Sequence, residues 1–364
     1  MPFDLVIPHG PPTSVPSVRA RRAVSIWLFT ICVMLLVMIG LGGATRLTGS
    51  GLSIMDWQPI SGILPPLSSA DWERLFAIYK TIPQYKMQPP GFDLTSFQHI
   101  FWLEWIHRFW GRLTGIAFLL PLIYFAATGQ IRRKLLPGLV VIFCLGGVQG
   151  FVGWFMVSSG FFPDSDHVQT LRLVAHLAVA LVLYAAILWV AMTEWVPYPT
   201  AVPGALGLRR LVTVVIVLTA LTILAGGFTA GSRAGYIFNT FPLMGGRIIP
   251  KGYGALQPFW MNWFHTRAAI QFDHRLLATA TAIAALAAAL WGSSRRLMLP
   301  QGPRDAMLAL GAVVVVQYAL GVATLLLVVP VDLATLHQVV AVLLLSTSLI
   351  ALHSLRGARP YAQS

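Results

Sequence analysis

Between residues 23 and 355 the chain is a succession of long apolar runs broken by short polar connections. Eight runs stand out, at about 23–43, 102–128, 136–158, 171–193, 211–231, 267–291, 306–329 and 334–355, each of the length a helix needs to cross a bilayer. The pattern predicts an all-α polytopic membrane protein with eight transmembrane helices. Composition points the same way: 57% of the 364 residues are hydrophobic and 10% charged, against roughly a quarter charged in soluble domains.

The connections alternate in charge. Arg19/Arg21/Arg22, Arg132/Arg133/Lys134, Arg209/Arg210, Arg295/Arg296/Arg304 and Arg356/Arg359 form one set, which by the positive-inside rule faces the cytoplasm together with both termini. The other set includes two long loops, at about 44–101 and 232–266, and faces outward. Membrane topology thus accounts for the net charge of +13, and no nucleic-acid partner is implied. The Pro-rich segment 1–22 is followed by no small-residue cleavage site and lacks the Ser/Arg-rich look of a transit peptide. A cytoplasmic tail, a retained first helix and a bacterial inner (cytoplasmic) membrane are expected. Cys32 and Cys144 both lie in apolar runs and read as small buried residues, not as a disulfide or a metal site.

The halves repeat. Gly42-Gly43-Ala44-Thr45 at the end of the first span recurs as Gly226-Gly227-Phe228-Thr229 at the end of the fifth. Ile106-His107-Arg108 is echoed by Asp273-His274-Arg275 (274 − 107 = 167), and Gln149 with Gly153 by Gln317 with Gly321 (317 − 149 = 168). His176 and His337 hold matching places near the starts of the fourth and eighth spans. Two pseudo-symmetric four-helix bundles in the same orientation follow, 23–193 and 211–355, joined by a linker at 194–210 and ending in a tail at 356–364.

Every span that runs inward carries a histidine in its first turns: His107, His176, His274 and His337, each expected within about 10 Å of the outer boundary. Two imidazoles per bundle at matching depth suit bis-histidine ligation of a heme between facing helices. Four residues after each histidine stands Gly111, Ala180, Ala278 or Ala341, small enough for a flat macrocycle against the helix. Zinc or copper fits less well without Cys or Met clusters. Arg108, Arg112, Arg172, Arg267 and Arg275 cluster at the same level, where a guanidinium fork suits either a propionate or the membrane interface. His99, His167 and His265 fall in the outer loops, with solvated roles expected; His9 and His353 are assigned nothing. Trp102, Trp105 and Trp110 read as an interfacial belt, and Gly146, Gly150 and Gly153 as sites of close helix packing. The halves differ at one ionisable position: Glu104 maps onto Gln271 (104 + 167 = 271). A carboxylate one turn from His107 serves either as the i,i+4 partner of Arg108 or as a proton-handling group in a dry site. The N-terminal bundle therefore reads as reactive, and the C-terminal bundle as built for binding or electron transfer.

Glu104-Trp-Ile-His107-Arg108, His176, His274-Arg275 and His337 on eight spans resemble the heme A synthase family. So do Gly42–Ser53 (GGATRLTGSGLS) and Trp57-Gln58-Pro59-Ile60-Ser61-Gly62. The resemblance covers about 24–355, and the long first loop without a cysteine pair is similar to the proteobacterial and mitochondrial branch. It implies oxidation of the C8 methyl of heme O, through an alcohol and a geminal diol, to the formyl group of heme A for terminal oxidases. By this analogy His274 and His337 would ligate a resident heme b, with Arg108 and Arg275 as further cofactor-binding residues. His107 and His176 would hold heme O, and Glu104 would move protons or position the methyl. The farnesyl tail of heme O would enter laterally from membrane lipid. Heme O synthase, cytochrome oxidase assembly factors, an electron donor that the sequence does not name, and a homo-oligomeric partner complete the implied company. Spacing alone reaches a two-heme membrane protein with one reactive bundle. It leaves open a diheme b-type electron-transfer cytochrome, a non-catalytic heme carrier and a histidine proton relay.

Overall fold

The computed structural model describes residues 16–56, 61–163, 165, 167–294 and 297–360. Expectations placed on the tail before residue 16, including His9, and on Trp57-Gln58-Pro59-Ile60 and Arg295/Arg296 lie outside the described residues. Within them the chain forms α1 (Val18–Leu47), α2 (Ser69–Tyr79), α3 (Leu94–Ala127), α4 (Leu136–Ser158), α5 (Thr170–Trp195), α6 (Leu206–Gly231), α7 (Asn262–His265), α8 (Arg267–Ser293), α9 (Gln301–Leu326) and α10 (Val331–Ser354). All except α2 and α7 are long and apolar enough to cross a membrane, so the chain is a multi-pass, nearly all-α membrane protein.

Helix ends follow local chemistry more than hydropathy. The Asp93 carboxylate caps α3 by accepting from the Ser96 backbone N–H at 2.9 Å and the Ser96 hydroxyl at 2.7 Å, which starts the helix two turns before its apolar run. The seventh apolar run, expected to continue to residue 329, stops as a helix at Leu326. Val328 and Val329 adopt φ of 60° and 61°, a costly conformation for β-branched residues. A Val329 N–H bond to the Thr324 carbonyl at 2.8 Å and an Asn239 Nδ2 bond to the Leu325 carbonyl, also 2.8 Å, hold the turn.

The eight spanning helices close into two rings, α1–α3–α4–α5 and α6–α8–α9–α10, each helix packing on the next. Between the rings, α1 packs on α10 and α5 on α6, which are repeat-equivalent contacts about a pseudo-twofold axis. Polar ties cross this seam. The Tyr184 and Ser346 hydroxyls bond at 2.7 Å, Gln338 Nε2 donates to the Ile39 carbonyl at 3.0 Å, and Arg46 Nη1 donates to the Ala230 carbonyl at 3.1 Å. At the end bearing both termini, buried Glu194 accepts from Arg21 Nε at 3.2 Å and pairs with Arg132. There β1 (Ala201–Pro203) and β2 (Gly357–Arg359) pair in parallel, and Thr193 Oγ1 meets His353 Nε2 at 3.2 Å.

At the opposite end, the first long connection is more than a loop. The α2 helix lays Phe76 and Tyr79 against Phe97 and Phe101 of the extended α3, with Leu52 and Ile82 completing an outer aromatic core. Sequence periodicity missed α2 because its eleven residues are amphipathic and far too few to span.

Candidate functional site

α3, α5, α8 and α10 carry His107, His176, His274 and His337. The last three stand six or seven residues into their helices, about 10 Å along the axis. His107 stands thirteen residues into α3, because of the outer extension. His107 and His176 stand on helices of one ring, α3 and α5, and His274 and His337 on the equivalent helices of the other, α8 and α10.

Each ring rests on a glycine of a neighbouring helix. A Cβ built on Gly42 would lie 2.8 Å from His107 Cε1, and one on Gly153 would lie 2.9 Å from His176 Cε1. In the C-terminal bundle the values are 3.0 Å for Gly226 against His274 and 2.9 Å for Gly321 against His337. The two GG-x-T motifs and the two Gln-x3-Gly motifs of the sequence are thus four histidine cradles. Gly153 packs against a ring, whereas a Cβ on Gly146 or Gly150 meets nothing within 4 Å among the described residues, against the expectation of close packing there.

The ring nitrogens are held differently. His274 Nδ1 lies 3.1 Å from the Thr222 carbonyl, which can only accept, so Nδ1 carries the hydrogen and Nε2 is left as a ligand. His107 Nδ1 and His337 Nδ1 are buried without a hydrogen-bond partner among the described residues. Gln149 Nε2 lies 3.2 and 3.3 Å from the two nitrogens of His176 and donates to the His176 carbonyl at 3.1 Å. Gln149 is a site residue that the sequence registered only as a repeat marker; its position one turn before a cradle glycine was the available signal.

Glu104 is buried, 3% exposed, and both of its oxygens are engaged. Oε2 accepts from Ser53 Oγ at 2.6 Å and from the Ile54 N–H at 2.8 Å; Oε1 accepts from Arg108 Nη2 at 2.5 Å. Arg108 also donates to the Ile54 carbonyl at 2.5 Å and the Asp56 carbonyl at 3.2 Å. Of the two roles the sequence allowed Glu104, the geometry displays the ion pair. The C-terminal bundle repeats the device with an amide: Gln271 Nε2 donates to the Ile237 carbonyl at 2.6 Å, while Arg275 donates to Phe238 at 2.6 Å and Thr240 at 2.8 Å. In both halves an i,i+4 pair clamps the loop that follows the GG-x-T helix. Arg275 Nε remains buried without a partner among the described residues.

Other residues settle elsewhere. Arg172 lies 3.8 Å over the Phe155 ring and donates to the Phe155 carbonyl at 2.9 Å. Trp110 donates Nε1 to the Met34 carbonyl at 2.8 Å, an interhelical tie instead of a belt position; Trp105 stacks on Phe109 at 5.0 Å. Gly111 packs toward Met38, with a Cβ 3.1 Å from its terminal methyl. His99, His167 and His265 are exposed, although His99 lies within α3 and His265 ends α7. Cys32 is buried, but Cys144 is exposed, against the expectation that both are buried. Arg108, Arg112 and Arg74 line a cavity of about 260 Å³ between α2, α3 and residues 53–56, outside the histidine pairs.

A multi-pass protein with two glycine-cradled histidines in each of two repeated four-helix rings is the class this architecture defines. The chain belongs to the cytochrome oxidase assembly protein family (COX15-CtaA), which matches residues 25–349. It is 55% identical over 343 residues to a heme A synthase of Granulibacter bethesdensis, covering 94% of this chain and 90% of the relative. It is also 48% identical over 346 residues to heme A synthase 2 of Acidiphilium cryptum, covering 94% of both chains. Against a heme A synthase of Nitrosospira multiformis it is 44% identical over 338 residues, covering 92% and 94%.

Proposed function

We propose that this chain oxidises the C8 methyl of heme O to the formyl group of heme A, the N-terminal bundle (23–193) holding substrate and the C-terminal bundle (211–355) a resident heme b. The activity is supported by the relatives' names at 44–55% identity over nearly the whole chain. The placement of the two hemes is supported by one observation above others: each bundle carries two histidines at repeat-equivalent positions, each ring on its own glycine cradle.

The residues of the C-terminal bundle fit a heme. Thr222 fixes the His274 tautomer, His337 supplies a second imidazole, and the buried Arg275 Nε is available to a propionate. Bound heme b supplies a one-electron redox centre within the membrane. In the N-terminal bundle His107 and His176 hold the substrate, and Gln149 orients His176. Glu104 and Arg108 pin residues 53–56 over the outer end of α3 and so limit water there. Glu104 handles a proton at Oε1 only when Arg108 releases it. The reading places the protein in the bacterial inner membrane with both termini cytoplasmic and the histidines toward the periplasm. Heme O synthase would supply substrate, and oxidase assembly factors would take product.

Purification followed by pyridine hemochrome spectra and pigment chromatography tests this. Heme b accompanied by heme O or heme A is expected; two heme b per chain with neither would overturn it in favour of an electron-transfer cytochrome.

A further inference from the structure

The rings differ in one seam. α8 and α9 pack extensively, whereas their equivalents α3 and α4 touch little. Midway along α9, Val314 is 2% exposed, and one turn nearer the histidines the Tyr318 hydroxyl bonds Thr279 Oγ1 of α8 at 3.0 Å. By the same offsets, Val314 corresponds to Gly146 (314 − 168), Tyr318 to Gly150 (318 − 168) and Thr279 to Arg112 (279 − 167). The C-terminal ring therefore fills and bridges a space that the N-terminal ring leaves empty. A Cβ on Gly115 of α3, or on Gly146 or Gly150 of α4, meets no atom within 4 Å among the described residues. The opening is a window. Phe118 and Phe143 stack at 6.1 Å to close it toward the terminal face, and Val157 packs into the outer aromatic core to close it at the other end. Its inner edge is the His176 ring against Gly153, one turn from Gly150, with Gln149 Oε1 of the same stretch of α4 buried and unbonded among the described residues.

Resting on the function proposed above, we infer that the α3–α4 window seats the isoprenoid tail of heme O, and that substrate and product pass through it laterally between lipid and the N-terminal bundle. A tail there lies in hydrocarbon along its whole length, so no polar group is stranded. A second copy of the chain could in principle pack on Gly146-x3-Gly150. The repeat argues against it, because Tyr318 at the Gly150 position bonds the neighbouring helix of its own ring and Val314 at the Gly146 position is buried in that ring's core.

The test is Gly150→Tyr, which installs the residue of the C-terminal ring, beside Gly150→Ala and Gly146→Val. Purified protein carrying its heme b is titrated with heme O and with protoheme, which lacks the tail. Wild type is expected to prefer heme O at least tenfold; Gly150→Tyr and Gly146→Val should remove that preference while protoheme binding changes less than twofold. Gly150→Ala should lie between, and heme b per chain, which reports folding, should stay constant. A filled variant that keeps its preference, loses both ligands equally or changes only its oligomeric state overturns the window. Wild type that binds heme O and converts none sinks the proposed function instead.

Discussion

Gly321 stands so close to His337 that a side chain on it would press into the imidazole, its Cβ 2.9 Å from Cε1. The same relation joins Gly226 to His274, Gly153 to His176 and Gly42 to His107. Four imidazole rings thus rest on four glycines, two per bundle. A ring pressed on backbone has few alternative rotamers, and a ligand held in one orientation loses little entropy on binding.

Enlarging a cradle should therefore act only in its own half. Gly321→Val displaces His337 and is expected to lower heme b per chain by half or more, read from the pyridine hemochrome. Gly42→Val should leave heme b unchanged and reduce conversion of heme O at least tenfold. Equal effects of the two substitutions on heme b would contradict the separation of the sites.

Glu104 ties the first loop to α3 through a carboxylate, where Gln271 uses an amide. Glu104→Ala leaves the Arg108 guanidinium, 20% exposed, without its charge partner, at a cost of about 3 kcal/mol in stability. Glu104→Gln keeps an acceptor for Ser53 and Ile54, so its stability should fall by less, about 1 kcal/mol. If Glu104 also moves protons, Glu104→Gln loses conversion out of proportion to that stability change; full conversion would confine the residue to holding the loop.

Glu194 offers the control. It joins Arg21 and Arg132 at the end opposite the histidines, so Glu194→Gln should lower thermal stability by about 2 kcal/mol, discounted because Arg132 is 42% exposed. Conversion per folded molecule should not change. A specific loss of activity would mean that this end communicates with the site.

The outer helices should loosen in acid before the spans do. Hydrogen bonds from Ser96 hold the Asp93 carboxyl below its ordinary range, and Ser68 does the same for Asp71. A depressed carboxyl pKa contributes stability that is present above the unfolded value, near 4, and disappears as pH falls through the folded value. Amide exchange at Ser96 and Asp71 should rise between about pH 4 and pH 3, while α8 and α10 keep their protection. Simultaneous loss would show that the caps contribute nothing locally.

Much of this was legible in the sequence, because bilayer thickness fixes helix length and the repeat fixes histidine depth. The eight spans and the repeat-equivalent places of His107, His176, His274 and His337 in their helices follow from those two constraints. What hydropathy could not show were events governed by local bonding. Val328 and Val329 read as helix but turn left-handed under a local backbone bond to Thr324 and a side-chain bond from the distant Asn239. α2 is hidden because its apolar face meets aromatic residues of α3 instead of lipid. The arginines were ambiguous for a related reason. Arg108 and Arg275 end on backbone carbonyls of loops, and carbonyls are identical in every sequence. Glycine carried opposite meanings, a cradle at Gly153 and open space at Gly150, which only the neighbouring helix distinguishes.

The most direct measurement is heme b per chain in four single variants, each replacing His107, His176, His274 or His337 by Ala. One heme b is expected in wild type, none in His274→Ala and His337→Ala, and one in His107→Ala and His176→Ala, both without heme A. Heme b retained after loss of His274 or His337, or lost with His107 or His176, would contradict this expectation.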